Sequence, residues 1–230
     1  MIAPPPPSPY RGLAPFEDSE TDARLFFGRE RERTLILANL MASRLTVLYG
    51  ASGVGKSSLL SAGVAHELGK TDNVAVLRSW ADDPLVALDA IVDRVEDGGD
   101  LYVILDQLEE FFVYHGVNGP ASRLAAALAG LLDRRNVRVS VLLGVREESL
   151  AKLDAFKPRL PNVLANYFRL EHLDRGAARG AITEPLRRFE ELGGEHWEIE
   201  PALVEAVLDE VSAGKIDGGA APPGRIETPY

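Results

Sequence analysis

The chain has 230 residues, 46% of them hydrophobic and 26% charged, with a net charge of −10 and no cysteine. That leaves room for one sizeable core, or a core with a small lid, and excludes disulfides, thiolate metal sites and a cysteine nucleophile. Four scattered histidines (His66, His115, His172 and His196) lack metal-ligand spacing, and an acidic surface argues against a nucleic-acid partner. No apolar run approaches the roughly 20 residues of a membrane span and no leader pattern opens the chain, so no membrane contact and a cytoplasmic location are expected.

In chain order, residues 1–15 carry Pro4, Pro5, Pro6, Pro7 and Pro9 and read as a proline-rich tail or linker. Phe26 and Phe27 read as a core pair opening a helix. Residues 44–49 (RLTVLY) form a strand running into a glycine loop, and a helix follows over 54–68. A strand over 73–80 and a helix over 84–95 come next. Residues 101–105 (LYVIL) are continuously apolar, as in a strand buried on both faces. A helix over 122–135, a strand over 137–145 and a weaker strand over 167–170 complete the pattern. Strands alternating with helices predict an α/β fold: a parallel sheet of about five strands flanked by helices, over residues 16–172. Residues 173–230 read as a helical lid, with helices over 174–192 and 201–212, and Pro201 suits a first helical turn. Residues 214–223 read as a loop, and the sequence stops in mid-pattern at Tyr230, so a lid truncated at its C-terminus is expected.

The run Gly50-Ala51-Ser52-Gly53-Val54-Gly55-Lys56-Ser57 matches G-x-x-x-x-G-K-[ST] in full. Each residue type has a reason. The glycines let the backbone curl so that successive N–H groups face phosphate oxygens, and the following helix turns its positive end to the same anion. Lys56 supplies a point charge to the β- and γ-phosphates, the Ser57 hydroxyl suits Mg²⁺, and Ser58 follows in the same turn. An apolar strand ahead and a helix behind give the motif its required context.

Asp106 ends the apolar strand 101–105, where a carboxylate can hold Mg²⁺ beside the loop. A water-activating group is expected just beyond. Gln107 follows, then Glu109 and Glu110, and the spacing leaves open which of the three positions or activates water. Arg146, at the end of the fourth strand, can reach a γ-phosphate or pair with Glu147 or Glu148. Lys56, Asp106, Glu109, Glu110 and Arg146 are the catalytic candidates. No N-K-x-D element for guanine is present, so ATP/ADP is preferred.

Three further stretches carry a resemblance: Tyr10-Arg11-Gly12-Leu13-Ala14-Pro15-Phe16-Glu17, Leu25-Phe26-Phe27-Gly28-Arg29-Glu30, and Leu105-Asp106-Gln107-Leu108-Glu109-Glu110-Phe111. With the P-loop they resemble the novel STAND NTPase 1 group, signal-transduction ATPases related to AAA+, NACHT and NB-ARC modules. The F-F-G-R-E run is similar to the family's hhGRE element, which implies that Gly28 and Arg29 lie near adenine and ribose. D-Q-L-E-E resembles the family's D-Q-F-E-E and places Glu109 at the second acid. Arg146 matches a strand-end arginine, although R-A-D-F is here Arg146-Glu147-Glu148-Ser149. The family's lid proline has two candidates, Pro185 and Pro229, each of which also reads as an ordinary helix kink or terminus.

The resemblance implies an Mg-nucleotide switch with slow ATP hydrolysis. Exchange of ADP for ATP would drive self-association and signalling, in some members in antiphage immunity, with sensor and effector domains outside this sequence. The alternative from the residues is a nucleotide-binding assembly module with little or no hydrolysis, since no acid directly follows Asp106. A small-molecule kinase would need a basic lid, for which Arg187-Arg188 is the single adjacent pair.

Overall fold

A computed structural model describes residues 8–12, 14–92 and 100–212 of the chain. Strand β3 (Asp100–Leu105), apolar after its first residue, is buried on both faces because the sheet is covered on both sides. The other strands are β1 (Leu45–Gly50), β2 (Asn73–Leu77), β4 (Arg138–Arg146) and β5 (Tyr167–Arg169). They form one sheet in the order β2-β3-β4-β1-β5, with every pairing parallel. The expected architecture is therefore present. Parallel neighbours need crossovers, and these are helical.

Alternation along the strands divides the core in two. Val47, Val103, Leu105, Val141 and Leu143 face one side. There they meet α6 (Leu108–His115), α7 (Pro120–Leu132) and a 3₁₀ segment, Glu147–Phe156. Leu48, Tyr102, Ile104 and Leu142 face the other side, against α2 (Glu30–Ala42) and the helix after the glycine loop. That helix is continuous but mixed: α3 (Lys56–Ser58), a π-helical stretch Leu59–Ala65, then α4 (His66–Leu68). A third, small cluster joins α8 (Arg175–Glu191) to α9 (Pro201–Ser212) through Leu173, Ala178, Val204 and Leu208. The short α1 (Glu20–Leu25) packs on α8.

Several boundaries move for physical reasons. The helix expected from residue 54 starts at Lys56, because Gly53 and Gly55 take positive φ and extend the loop. The strand expected to residue 80 stops at Leu77, and Trp80 turns inward, 1% exposed. Helix α6 and the 3₁₀ segment fill stretches for which no element is expected. Helix α5 (Pro84–Val92) begins where predicted. Its expected end at residue 95, residues 4–7 of the proline run, the loop over 214–223 and Pro229 lie outside the described residues. Among the described residues no helix is long and apolar enough to cross a membrane.

Candidate nucleotide site

The P-loop lies between β1 and α3, at the carboxyl end of the sheet. Gly50 leaves β1 so close to the next strand that a Cβ would stand 2.5 Å from the Leu170 carbonyl oxygen. Gly53 (φ 72) and Gly55 (φ 89) then adopt conformations that other residues resist. Lys56, 9% exposed, donates to the carbonyls of Gly50 at 2.9 Å and Ala51 at 2.7 Å. Burial lowers its pKa, opposed mainly by the charges of Glu109 and Asp106.

Asp106 stands one residue beyond the Leu105–Leu143 pair of β3 and β4. Strand β4 separates it from β1, so the acid must reach across a neighbour. Gly144 makes this possible: a Cβ there would lie 3.2 Å from Asp106 Oδ1 and 3.0 Å from Leu60. The carboxylate receives hydrogen bonds from the Ser57 hydroxyl and the Gln107 N–H, the latter at 2.9 Å. It is 1% exposed, and burial pushes its pKa up against those two bonds. Its Oδ2 has no hydrogen-bond partner. An orphaned carboxylate oxygen beside a hydroxyl is the donor set of a hard divalent cation, so Ser57 and Asp106 fit Mg²⁺.

The turn after Asp106 is held from outside. Trp80 Nε1 donates to the Asp106 carbonyl at 2.9 Å, and the Asp106 N–H donates to Leu77 at 2.9 Å. Gln107 has φ 54, the single positive φ outside glycine among the described residues. Its left-handed turn starts α6 and brings Glu109 to Arg146. Arg146 Nε lies 2.9 Å from Glu109 Oε1, and the Arg146 N–H donates to Oε2 at 3.1 Å. Arg146 thus pairs across the sheet with Glu109, while Glu147 pairs with Arg169.

A cavity of about 610 Å³ opens on these groups. Residues 52–58, Asp106, Gln107, Glu109 and Arg146 line its polar end. Phe16, Phe26, Phe27, Leu173, Ile182 and Pro185 line its apolar end. Of the sequence candidates, Gly28, Gly50, Ala51 and Glu110 are not in the lining.

Gly28 instead seats the loop on α8. At φ 86, a Cβ would fall 2.6 Å from the Ala177 carbonyl oxygen. Arg29 reaches the cavity but is 4% exposed, and carbonyls engage it: Nη2 donates to Val54 and Nη1 to Glu171, both at 2.8 Å. It ties the P-loop to the segment after β5.

Sequence reasoning missed Tyr10 and its neighbours. The stretch read as a tail contributes Tyr10, Arg11, Gly12, Ala14 and Pro15 to the lining. The Tyr10 hydroxyl donates to the Ile182 carbonyl at 2.6 Å, and the Phe16 N–H donates to Ser58 Oγ at 3.2 Å. The available signal was the Tyr10–Glu17 run, which carries part of the family resemblance although its position suggested a linker. Gly144, Arg78 and Trp80 gave none, since their roles exist only across strands.

The sheet order, the loop and the acid at the tip of β3 define the P-loop NTPase fold. The family model for Novel STAND NTPase 1 matches residues 9–221, and the chain belongs to that family. Among solved structures, it is similar to Aeropyrum pernix ORC2 in its ADP form, with 19% identity and a TM-score of 0.53 over 79% of this chain and 56% of that one. Aeropyrum pernix ORC1, solved in complex with DNA, gives 16% identity and 0.53 over 82% and 56%. A mutant of Thermotoga maritima RuvB gives 17% and 0.51 over 87% and 61%. These likenesses concern the fold, and the chain spans less than two thirds of each neighbour. No curated protein sequence matches the chain.

Proposed function

We propose that the chain is an ATP/ADP-binding switch module that hydrolyses ATP slowly and whose nucleotide state controls self-association and signalling. The observation that carries this reading is the pairing of Glu109 with Arg146 at the polar end of the cavity, next to Lys56 and Asp106. In this reading the backbone N–H groups of the P-loop receive the phosphates. Lys56 exchanges its two carbonyl acceptors for β- and γ-phosphate oxygens. Ser57 and Asp106 hold Mg²⁺, which when bound neutralises charge on those oxygens. Arg146 moves from Glu109 to the γ-phosphate and so frees Glu109 to orient and deprotonate water. The apolar end takes adenine. Until a γ-phosphate arrives, the base is engaged, which gives slow turnover. Gln107, at its left-handed turn, lines the same end, whereas Glu110 starts outside it.

Helices α8 and α9 act in this reading as the beginning of a lid. Sensor and effector domains elsewhere in a longer protein, a cytoplasmic setting, and a role in prokaryotic antiphage defence or other signal transduction belong to the same proposal. The net charge of −10 supports a nucleotide rather than a nucleic acid as the ligand.

A second reading, an assembly module with little hydrolysis, is favoured by Gln107 standing where an acid would directly follow Asp106. Single-turnover release of phosphate from bound ATP separates the two. Slow release that Lys56→Ala abolishes is expected. Bound ATP with no release above the Lys56→Ala background would leave the second reading standing.

A further inference from the structure

Arg78 follows β2 directly, and the register of β2 with β3 (Leu77 opposite Leu105) sets it beside Asp106. Its guanidinium is anchored on the other side: Nη2 donates to Ser61 Oγ, and the Ser61 hydroxyl donates to the Ser57 carbonyl at 2.6 Å. One side chain therefore links the two residues assigned above to the cation. Its contact with the acid is not a hydrogen bond. Nε stands 3.9 Å from Asp106 Oδ2, and both atoms are buried without a hydrogen-bond partner. A structural arginine–carboxylate pair closes to about 2.8 Å and satisfies both atoms. Here Ser61 holds the cation just outside bonding distance. Its charge still acts on a carboxylate that is 1% exposed through a buried Nε, although the Arg78 side chain as a whole is 35% exposed and water screens part of the attraction.

The acid does not depend on Arg78 for its place. The Leu77 carbonyl, the Trp80 indole, the Ser57 hydroxyl and the Gln107 N–H already fix Asp106. What Arg78 adds is positive charge on the face of the acid that has no donor.

We propose that Arg78 is a positioning residue that serves as a resident counter-charge for Asp106, neutralising it towards incoming nucleotide when no divalent cation is bound. The proposal rests on the assignment of Ser57 and Asp106 to Mg²⁺. Without metal, nucleotide phosphates meet a buried carboxylate, and Arg78 offsets that repulsion. With metal bound, the cation takes over the same charge, and Arg78 becomes dispensable. The module could then retain ADP after losing its metal.

The test is the affinity of fluorescent methylanthraniloyl-ADP in Mg²⁺ and in EDTA. Wild type should bind more tightly in Mg²⁺. In Arg78→Met, affinity in EDTA should fall about tenfold while affinity in Mg²⁺ holds, so the ratio of the two rises about tenfold. Arg78→Lys, which keeps the charge, should return the ratio towards wild type. An equal fall in both conditions marks Arg78 as merely structural and overturns the proposal, as does an unchanged ratio. A wild type indifferent to Mg²⁺ overturns the assignment of Ser57 and Asp106 as well. If Arg78→Met does not fold, Ser61→Ala releases the anchor without changing charge. The freed guanidinium can then close on Asp106, so the ratio should fall below that of wild type, and a ratio that is unchanged or higher counts against Arg78.

Discussion

The two walls of the cavity are built in different ways. The polar wall is backbone drawn tight by the sheet. Gly50 lies against Leu170, Arg29 is fixed by the Val54 and Glu171 carbonyls, and Asp106 is held by β2 and Trp80. The apolar wall is assembled from three separate pieces: a segment that includes Tyr10, Pro15 and Phe16, the pair Phe26 and Phe27, and α8 with α9. Among the described residues the contacts between these pieces include the Tyr10–Ile182 hydrogen bond, the edge-on packing of Phe16 on Phe26 at 5.4 Å and the seat of Gly28 on Ala177. The phosphate end can keep its shape while the base end separates with the loss of few bonds. A protein that must respond to its ligand needs this division, since one rigid part recognises and a loosely joined part reports.

Gly28→Ala should break the contrast most. At φ 86 the new methyl group meets the Ala177 carbonyl, so α8 must shift or the backbone must strain. A loss of about 2 kcal/mol is expected, read as a melting temperature lower by about 4–8 °C. ADP affinity should weaken with it. An unchanged melting temperature would show that the two walls are not joined at this point.

Asp106→Asn probes the rigid wall and has the opposite sign. Burial raises the pKa of Asp106 in the folded protein above its ordinary unfolded value. Stability from this group is therefore greatest at low pH and is lost as pH rises through the folded-state pKa. The amide avoids that loss. Nucleotide-free Asp106→Asn should melt about 2–4 °C higher near pH 8, a gain of about 1 kcal/mol. Thermal melts at decreasing pH should show the gain shrinking. A lower melting temperature at pH 8 would mean that the two hydrogen bonds to its carboxylate, from Ser57 and Gln107, outweigh its burial.

Tyr10→Phe is the mildest change. Burial raises the pKa of the hydroxyl, which keeps it a protonated donor to Ile182. Its loss should cost about 0.5–1 kcal/mol, a few-fold in ADP affinity with little change in the melting temperature. An effect on melting larger than that of Gly28→Ala would reverse the ranking of the two contacts.

How much was readable in advance follows the same division. The strands, their parallel pairing and the loop between β1 and α3 were legible. Apolar runs and a glycine-lysine-serine spacing are local signals, complete within a few neighbouring residues. The acid at the end of β3 was legible as a strand tip. The apolar wall was legible only in part: the resemblance pointed to the F-F-G-R-E run and offered Pro185, and Phe26, Phe27 and Pro185 line the cavity, whereas Tyr10 looks like part of a tail until it meets Ile182, 172 positions away. Arg29 shows a second limit. Its importance was visible in the F-F-G-R-E run, and Glu32 is a local partner at 3.2 Å, yet the contacts that tie it to the P-loop and to the segment after β5 are the Val54 and Glu171 carbonyls, which no side-chain pattern encodes. Arg78 and Trp80 show a third. Each acts on Asp106 from a strand exit that reads as ordinary loop.

Gly144 carries a consequence for comparing copies of this module. It belongs to no motif, yet Asp106 crosses β4 over its bare backbone. A branched residue there would force Leu60 or the carboxylate aside and leave every letter of the phosphate loop and of D-Q-L-E-E intact. Gene copies that keep the motifs but have lost the glycine would look alive to a pattern search. On the proposed assignment of Asp106 and Ser57 to one cation, such copies would lose that pairing through a strand position that no motif includes.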